Sequence, residues 1–259
     1  MTIAVIGAGA MGGAFAEGLI KIGYKGSSLR VADPSKEKLD HFKELGAQTT
    51  QDNKEAANDA DVVAVVVKPW LTEKVLTEIK PVLNYDKQKL IIIAAGVKAE
   101  SIKEWMAKDG KTPHFFLVIP NIAIAQLKSM TFIVPIDATK EETEQAEALF
   151  NKMGTSLVTE ERLLGAGTTL ASCGIAYAMR YIRASSEGGV ELGFKADDAK
   201  KIVIQTVEGA AELLKTTGLH PEAAIDLVTT PGGVTIKGLN EMEHNGFTSA
   251  VIKGLKAGL

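Results

Sequence analysis

Apolar and polar positions alternate in blocks along residues 1–158, and this pattern predicts a doubly wound α/β domain. Short runs rich in β-branched residues are typical of strands buried on both faces. They fall at residues 3–6, 29–32, 62–67, 90–94, 115–119, 130–134 and 156–158. Segments with helical periodicity lie between several of them, at residues 13–22, 36–45 and 140–153. Such alternation favours a parallel sheet covered by helices on both faces.

The pattern changes after residue 158, and residues 159–259 predict an all-α domain. Helical periodicity covers residues 174–192, 197–217, 221–228 and 234–243, with a last helix from residue 248 and no convincing strand. Several of these helices are apolar on more than one side, as in helices that are buried. A domain this small can cover those faces by pairing with a second copy. We therefore expect a homodimer through residues 159–259, or a larger ring of such dimers.

A glycine-rich turn, Gly7-Ala8-Gly9-Ala10-Met11-Gly12, joins the first strand to the first helix. In this G-x-G-x-x-G spacing the first glycine permits a tight turn and the second lets a pyrophosphate approach the backbone. The third lets the helix pack against its strand. The start of the helix adds free N–H groups and a partial positive charge. The motif predicts dinucleotide binding, and the alternative is a tight turn in another α/β protein.

The end of the second strand bears on which dinucleotide is bound. Asp33 lies about 20 residues beyond the turn, where an acid commonly accepts hydrogen bonds from the ribose hydroxyls of NAD. Ser35 and Lys36 could instead hold the 2′-phosphate of NADP. Asp33-Pro34-Ser35 also has the sequence of a plain turn and helix cap. NADH and NADPH therefore both stay open.

Further candidate residues follow the carboxyl ends of predicted strands, where ligands lie in an open parallel sheet. Val67, Lys68 and Pro69 end one strand and are expected to border the cofactor. We interpret Lys68 as part of that border rather than as a catalytic lysine. Ala95 and Gly96 follow the next strand, and their small size leaves room for a nicotinamide ring.

Composition excludes several classes of protein. The 259 residues are 46% hydrophobic and 24% charged, which is ordinary for a soluble globular protein, and the net charge of -3 offers no basic footprint for nucleic acid or a membrane surface. No apolar run reaches the roughly 18 residues that span a bilayer. A single cysteine, Cys173, allows no intrachain disulfide, which fits a reducing cytoplasm. The histidines lack ligand spacing, so we predict no metal site.

Several stretches together carry a family likeness over almost the whole chain. They are Ile6-Gly7-Ala8-Gly9-Ala10-Met11-Gly12, Asp52-Asn53, Val67-Lys68-Pro69, Ala94-Ala95-Gly96-Val97, Pro120-Asn121, Gln205-Thr206, Gly209-Ala210-Ala211 and Pro231-Gly232-Gly233-Val234-Thr235-Ile236. The last is the most specific, and Glu243-x-x-Gly246 follows it at the family's spacing. On these residues the chain resembles the pyrroline-5-carboxylate reductases.

The resemblance implies a Rossmann domain, a helical dimerisation domain, and reduction of the cyclic imine 1-pyrroline-5-carboxylate to L-proline by NADPH or NADH, the last step of proline biosynthesis. It implies that Asn53 and Val67-Lys68-Pro69 line the cofactor. Asn121 is expected near the nicotinamide and the substrate. The residues implied to hold the substrate are Gly232, Gly233, Val234 and Thr235.

Two stretches beside the expected active site depart from the family pattern. Residues 119–123 read Ile-Pro-Asn-Ile-Ala where most members have Met-Pro-Asn-Thr-Pro, and residues 171–177 read Ala-Ser-Cys-Gly-Ile-Ala-Tyr in place of Ser-Gly-Ser-Gly-Pro-Ala-Tyr. Ser172 and Cys173 nevertheless count among the expected substrate-binding residues. We interpret Cys173 as a small packed thiol and not as a nucleophile. These changes bear on the substrate and the rate, and leave the fold unaffected.

Hydride transfer to an imine requires orientation and hydrogen bonding more than acid catalysis by the protein. Thr235 is expected to hydrogen-bond to the imine nitrogen, and because a hydroxyl is a poor acid it orients a substrate that binds already protonated. The backbone of Pro231-Gly232-Gly233 is expected to form a nest for the substrate carboxylate. The alternatives are another imine reductase or a β-hydroxyacid dehydrogenase on the same scaffold, and a dinucleotide-binding protein without activity.

Overall fold

The computed structural model describes residues 1–259, which divide into two compact units, Met1–Ser172 and Cys173–Leu259. The first unit contains every strand, and the second is entirely helical. None of the helices has both the length and the apolar content that a membrane crossing requires.

Eight strands form one sheet in the first unit. They are β1 (Ile3–Ile6), β2 (Gly26–Ala32), β3 (Ala47–Thr50), β4 (Val62–Val65), β5 (Lys89–Ile92), β6 (Phe115–Ile119), β7 (Ser129–Ile136) and β8 (Gly154–Val158). Their order across the sheet is β3-β2-β1-β4-β5-β6-β7-β8. The central strand β1 is parallel to both neighbours, with Ile6 opposite Ala32 on one side and Val65 on the other. The order in which the chain adds strands to the sheet therefore reverses between β1 and β4. In α/β proteins, ligands bind at such a switch point.

The sheet is mostly parallel, as predicted, but its last two strands run the other way. β7 is antiparallel to β6, and β8 is parallel to β7. The connection from β6 to β7 is a short turn, Ile122–Gln126, whereas a parallel pair needs a crossover of about a dozen residues or more. The apolar runs at residues 115–119 and 130–134 predict strands but carry no sign of their direction.

Helices cover both faces of the sheet. They are α1 (Ala10–Lys21), α2 (Lys36–Glu44), α3 (Asn53–Ala57), α4 (Thr72–Ile79), α5 (Ala99–Met106), α6 (Lys140–Asn151) and the single turn α7 (Leu164–Gly167). The side chains of β1 alternate between two apolar cores: Ile3 and Val5 pack with residues of α1, α2 and α6, while Ala4 and Ile6 pack with residues of α3, α4 and α5. Such burial on both faces explains the unbroken apolar runs of the sequence.

The second unit consists of five helices. They are α8 (Gly174–Glu191), α9 (Ala196–Thr217), α10 (Pro221–Leu227), α11 (Val234–His244) and α12 (Phe247–Ala257). Helices α8 and α9 approach closely, since a Cβ on Gly189 would lie 2.9 Å from the Cβ of Ala199. Ala199 is the only residue of this unit that the chain itself buries, and large side chains such as Met179 and Leu213 are more than half exposed. The unit therefore lacks a core of its own.

Candidate functional site

The glycine turn after β1 has the geometry that its sequence predicts. Gly7 has φ +103° and donates its N–H to the carbonyl of Ala32 at 2.7 Å. A Cβ on Gly7 would lie 2.3 Å from the carbonyl oxygen of Val66, and one on Gly12 would lie 1.8 Å from that of Gly7. A Cβ on Gly9 would meet nothing within 4 Å. Packing therefore demands glycine at the first and third positions, and the second faces open space.

Gly9 stands at the start of α1, so the open space above it adjoins the first N–H groups of that helix. Gly9 is the N-cap residue, no side chain caps the helix, and the first turn contains no acidic residue. The N–H groups of Ala10, Met11 and Gly12 have no partner within the helix, since its first hydrogen bond runs from Gly13 N–H to the Gly9 carbonyl at 2.7 Å. These donors and the helix dipole suit an anionic pyrophosphate, so the residues fit a dinucleotide.

Asp33, at the end of β2, is buried against the glycine turn. One carboxylate oxygen accepts from Ala8 N–H at 2.7 Å, and the other accepts from Ser35 N–H at 2.9 Å. The ammonium group of Lys38 lies 3.5 Å from the carboxylate. Lys38 was not among the residues expected from the sequence, although its place on the first turn of α2 brings it back toward the strand end. Ser35 is half-buried and Lys36 is exposed beside it.

Asn53 lies at the carboxyl end of β3, in the first turn of α3. The preceding Asp52 caps this helix by accepting from Lys54 N–H at 2.8 Å. The Asn53 amide donates to the carboxylate of Glu78 on α4 at 3.0 Å. The orientation of this amide is thus set by a residue that the sequence did not single out.

The segment after β4 lies against the glycine turn. Val66 is buried, and Val67 Cγ1 lies 3.0 Å from the position of a Cβ on Gly7. Lys68 is exposed and Pro69 begins a short 3₁₀ turn, Pro69–Leu71. The structure therefore brings the expected cofactor residues at the ends of β1 and β4 together.

A cleft of about 500 Å³ opens beyond the carboxyl ends of β5 and β6. Gly96, with φ +80°, lines it, and the exposed Ala95 precedes Gly96. Glu161 also lines the cleft and accepts a hydrogen bond from Ala99 N–H at 2.9 Å, which ties the start of α5 to the segment before α7. Nothing in the sequence pattern pointed to Glu161, because the two residues are far apart in the chain. The cleft has room for a nicotinamide ring.

Asn121 is buried, and both the oxygen and the nitrogen of its side-chain amide have a hydrogen-bond partner. Its amide oxygen accepts from Ala123 N–H at 3.0 Å, and its amide nitrogen donates to the Ala171 carbonyl at 3.4 Å. Its backbone N–H donates to Ser129 Oγ at 3.1 Å. Asn121 therefore holds the turn after β6 against the segment that ends at Ser172, a half-buried residue of the turn Thr168–Ser172.

In the second unit, the Pro231-Gly232-Gly233 loop leads into α11. Gly232 has φ +70°, a conformation that favours glycine, and a side chain at Gly233 would require Thr230 to move, because its Cβ would lie 2.4 Å from Thr230 Oγ1. The first turn of α11 has no side-chain cap, which leaves the N–H groups of Val234 and Thr235 without partners in the helix. Both side chains are exposed within the chain. The arrangement suits a carboxylate.

Cys173 precedes α8 in the second unit. It is half-buried and forms no disulfide, and its carbonyl accepts from Ala176 N–H at 2.8 Å. Throughout the chain, no three His, Cys, Asp or Glu side chains are grouped so that they could hold a metal ion.

The groups with clear pKa shifts lie near the amino ends of the strands, opposite the glycine turn. Burial raises the pKa of Tyr85, before β5, to about 12, and burial also raises the pKa of Tyr24, before β2. Burial alone would raise the pKa of Glu142, but hydrogen bonds from Thr139 N–H and His114 outweigh it and lower that pKa. None of these groups lies at the glycine turn, where the carboxyl ends of the strands offer backbone N–H donors and open space instead.

Two family models match the chain. Residues 161–259 match the pyrroline-5-carboxylate reductase dimerisation domain. Residues 2–96 match the coenzyme F420-dependent NADP oxidoreductase domain.

Individual proteins are similar over nearly the whole chain. Pyrroline-5-carboxylate reductase 2 of Dictyostelium discoideum is 37% identical, covering 98% of this chain and 89% of that protein. The structure of a pyrroline-5-carboxylate reductase from Coxiella burnetii superposes with a TM-score of 0.89 at 30% identity, covering 99% of this chain and 95% of the other. The NADP-bound pyrroline carboxylate reductase of Plasmodium falciparum has a TM-score of 0.89 at 25% identity, covering 100% and 95%.

Proposed function

The chain belongs to the pyrroline-5-carboxylate reductase family, and we propose the roles of its own residues in reducing 1-pyrroline-5-carboxylate to L-proline. It is an NAD(P)H-dependent oxidoreductase that acts on a C=N bond. The observation that carries the proposal is the glycine turn, packed against the end of β4 with open space above Gly9.

The cofactor residues hold the dinucleotide along the switch point of the sheet. The backbone of Gly7-Ala8-Gly9-Ala10-Met11-Gly12 receives the pyrophosphate on the free N–H groups of α1. Val67, Lys68 and Pro69 border it at the end of β4, Asn53 borders it at the end of β3, and Ala95 and Gly96 leave room for the nicotinamide. When bound, the reduced cofactor supplies the hydride.

The substrate residues supply hydrogen bonds. The N–H groups around Gly232, Gly233 and Val234 receive the substrate carboxylate, because two glycines and an uncapped helix start present several donors at once. Thr235 accepts a hydrogen bond from the protonated imine nitrogen and fixes the orientation of the ring. Its hydroxyl is too weak an acid to provide the proton at neutral pH, so the substrate binds already protonated.

Asn121, Ser172 and Cys173 border the substrate. The hydrogen bonds of the Asn121 side chain to Ala123 and Ala171 support this role, because they fix the shape of the turn after β6. Ser172 and Cys173 replace a glycine and a serine of the family pattern. The two domains of the proposal span residues 1–158 for the cofactor and 159–259 for the substrate and the dimer.

The protein is a homodimer that acts on a small molecule. Dimerisation accounts for the exposed apolar side chains of α8 to α12, which a second copy covers. We place the protein in the cytoplasm because a chain with one cysteine forms no intrachain disulfide. Further contacts between dimers would build the ring expected from the sequence.

The test is steady-state oxidation of NADPH and NADH with 1-pyrroline-5-carboxylate, with L-proline identified as the product. We expect turnover by the wild type and at least a roughly tenfold loss of kcat/KM in Thr235→Ala, partly restored in Thr235→Ser, since one hydrogen bond to a charged group is lost. A Thr235→Ala enzyme with wild-type turnover across the pH range would contradict the role of this hydroxyl. Turnover of other cyclic imines but not of this one would favour a related imine reductase with altered turns at residues 119–123 and 171–177.

A further inference from the structure

Two buried hydroxyl groups lie next to the turn that follows β6, and neither takes part in the proposed chemistry. Ser129, the first residue of β7, is 2% exposed, and Thr131, two residues further along the same strand, is fully buried. Their oxygens lie 3.0 Å apart. The Ser129 hydroxyl also accepts the backbone N–H of Asn121 at 3.1 Å. Ser129 is therefore the one of the two that contacts a residue beside the proposed substrate site.

The backbone of Ser129 is itself fixed by the neighbouring strand. Its N–H donates to the Met153 carbonyl at 3.1 Å. Ser129 lies opposite Gly154 in the pairing of β7 with β8. A Cβ on Gly154 would lie 2.1 Å from the Ser129 carbonyl oxygen, so the two strands approach as closely as glycine allows. The hydroxyl that holds Asn121 therefore projects from a rigid part of the sheet.

The turn after β6 is held at its other end by α1. The ammonium group of Lys21 donates to the Ala125 carbonyl at 2.5 Å and to the Gln126 side chain at 3.0 Å. A Cβ on Gly18 would lie 2.7 Å from the Ile124 carbonyl oxygen, so helix and turn are in close contact. The turn is thus fixed between α1 on one side and the Ser129 hydroxyl on the other.

Asn121 connects the two stretches that depart from the family pattern. Its amide oxygen accepts from Ala123 N–H, and its amide nitrogen donates to the Ala171 carbonyl. Most family members have proline at the position of Ala123, and proline has no N–H to donate. Residues 119–123 and 171–177 therefore meet through one side chain, and Ser129 holds the backbone of that residue.

We propose that Ser129 is a positioning residue for imine reduction, because its hydroxyl fixes Asn121 and, through it, the turn and residue 171 where they border the substrate. This rests on the proposed function, in which Asn121 borders the substrate. Without the hydroxyl, the buried N–H of Asn121 has no acceptor, which favours a shifted turn. A shift of about an ångström at the reacting ring lowers hydride transfer by up to roughly a hundredfold.

The test is steady-state reduction of 1-pyrroline-5-carboxylate by Ser129→Ala, as the dimeric protein with saturating NADPH, well below its melting temperature. We expect kcat to fall about tenfold or more, because the ring is misplaced in the transition state. The Kd of NADPH from titration calorimetry stays within about twofold of the wild type, since the donors at the start of α1 are unchanged.

Three results for Ser129→Ala would overturn the proposal. The first is a wild-type kcat. The second is a rise in KM with kcat unchanged, which would mean that only uniform binding was lost. The third is a loss explained by the Kd of NADPH, which would place the effect at the cofactor.

Thr131→Val is the matched control. It removes the other hydroxyl of the pair with little change of shape, and Asn121 N–H keeps its acceptor. Both variants lower the melting temperature, but kcat of Thr131→Val stays within about twofold of the wild type. An equal loss of kcat in Thr131→Val contradicts the proposal, because the hydroxyls would then only stabilise the strands.

Should Ser129→Ala fail to fold, Ser129→Cys decides the matter. The thiol is similar in shape but is a weaker acceptor, so kcat falls by at least about threefold, and a wild-type kcat overturns the proposal. A wild type that reduces the imine while the Ser129 variants match it disproves this inference and leaves the reductase intact. A wild type that reduces no cyclic imine overturns both.

Discussion

Substituting the third glycine of the turn is the sharpest test of how the cofactor site is built. In Gly12→Ala the new Cβ would lie 1.8 Å from the Gly7 carbonyl oxygen and 3.3 Å from the Val66 side chain. The nearest atom is backbone, so no side chain can rotate away, and α1 must move from β1 by roughly an ångström in a close-packed region. In Gly9→Ala the Cβ meets nothing within 4 Å, and the φ of −71° suits any residue.

The two substitutions should therefore fail in different ways. Forcing a methyl group into a packed backbone contact costs about 3 kcal/mol, at the upper end of the usual range for overpacking. For a chain of this size that lowers the melting temperature of Gly12→Ala by roughly 6–12 °C. Gly9→Ala stays within about 0.5 kcal/mol of the wild type, as expected for a residue in open space. Its methyl group keeps a pyrophosphate off the backbone, so the Kd for NADPH rises by about tenfold or more.

The assays are differential scanning calorimetry without cofactor and titration calorimetry with NADPH. Gly13→Ala is the control, because its Cβ makes ordinary contact with Phe42 at 3.5 Å in the same helix. A Gly12→Ala melting temperature close to that of Gly13→Ala would refute the packing argument. Wild-type affinity in Gly9→Ala would refute the position given to the pyrophosphate.

Three further predictions concern assembly and stability. Leu213→Glu, on α9, shifts the protein toward monomer in sedimentation velocity, while the exposed Lys201→Glu on the same helix does not. Because the pKa of Glu142 is lowered by folding, its contribution to stability is full above its ordinary pKa of 4.5 and is lost as the pH falls through the folded value. Glu142→Gln therefore destabilises at neutral pH, by less than about 1 kcal/mol, and has no effect in strong acid, as urea titrations at both pH values would show. Glu161→Ala costs about 1 kcal/mol by removing the acceptor of Ala99 N–H, and Glu161→Gln restores most of it in the same titration.

The central sheet could be predicted from the sequence because its strands are buried on both faces. Residues 115–119 are predicted at their observed bounds, and the runs at 3–6 and 62–67 fall on β1 and β4. β3 was missed because its residues Gln48, Thr49 and Thr50 are polar, as suits an edge strand. The short helix α3 was missed too, since its five residues are too few to show a period. The direction of β7 depends on the length of a turn, which periodicity does not report.

The site shows a similar division between residues that the sequence could single out and residues that it could not. The glycines were predicted with their separate roles because each role is a local property of the backbone. Glu161, Glu78 and Lys38 were not, because each acts through a contact made only after folding. Asp33 was singled out by its position, but its contacts to Ala8 and Ser35 depend on how β2 meets the turn. Motif spacing can identify the residue without revealing which way its carboxylate points.

The contrast between the two units has a consequence for how the protein is made in the cell. The first unit buries its cores within residues 1–172, so it can finish folding while the ribosome is still adding the rest, at about 5–20 residues per second. The second buries only Ala199 by itself and must wait for another chain. Maturation is then second order in newly synthesised chains. At low expression, chains with a folded first unit and an unpaired second unit accumulate, and their exposed helices are open to chaperones and proteases. The yield of enzyme then rises more steeply than the rate of synthesis.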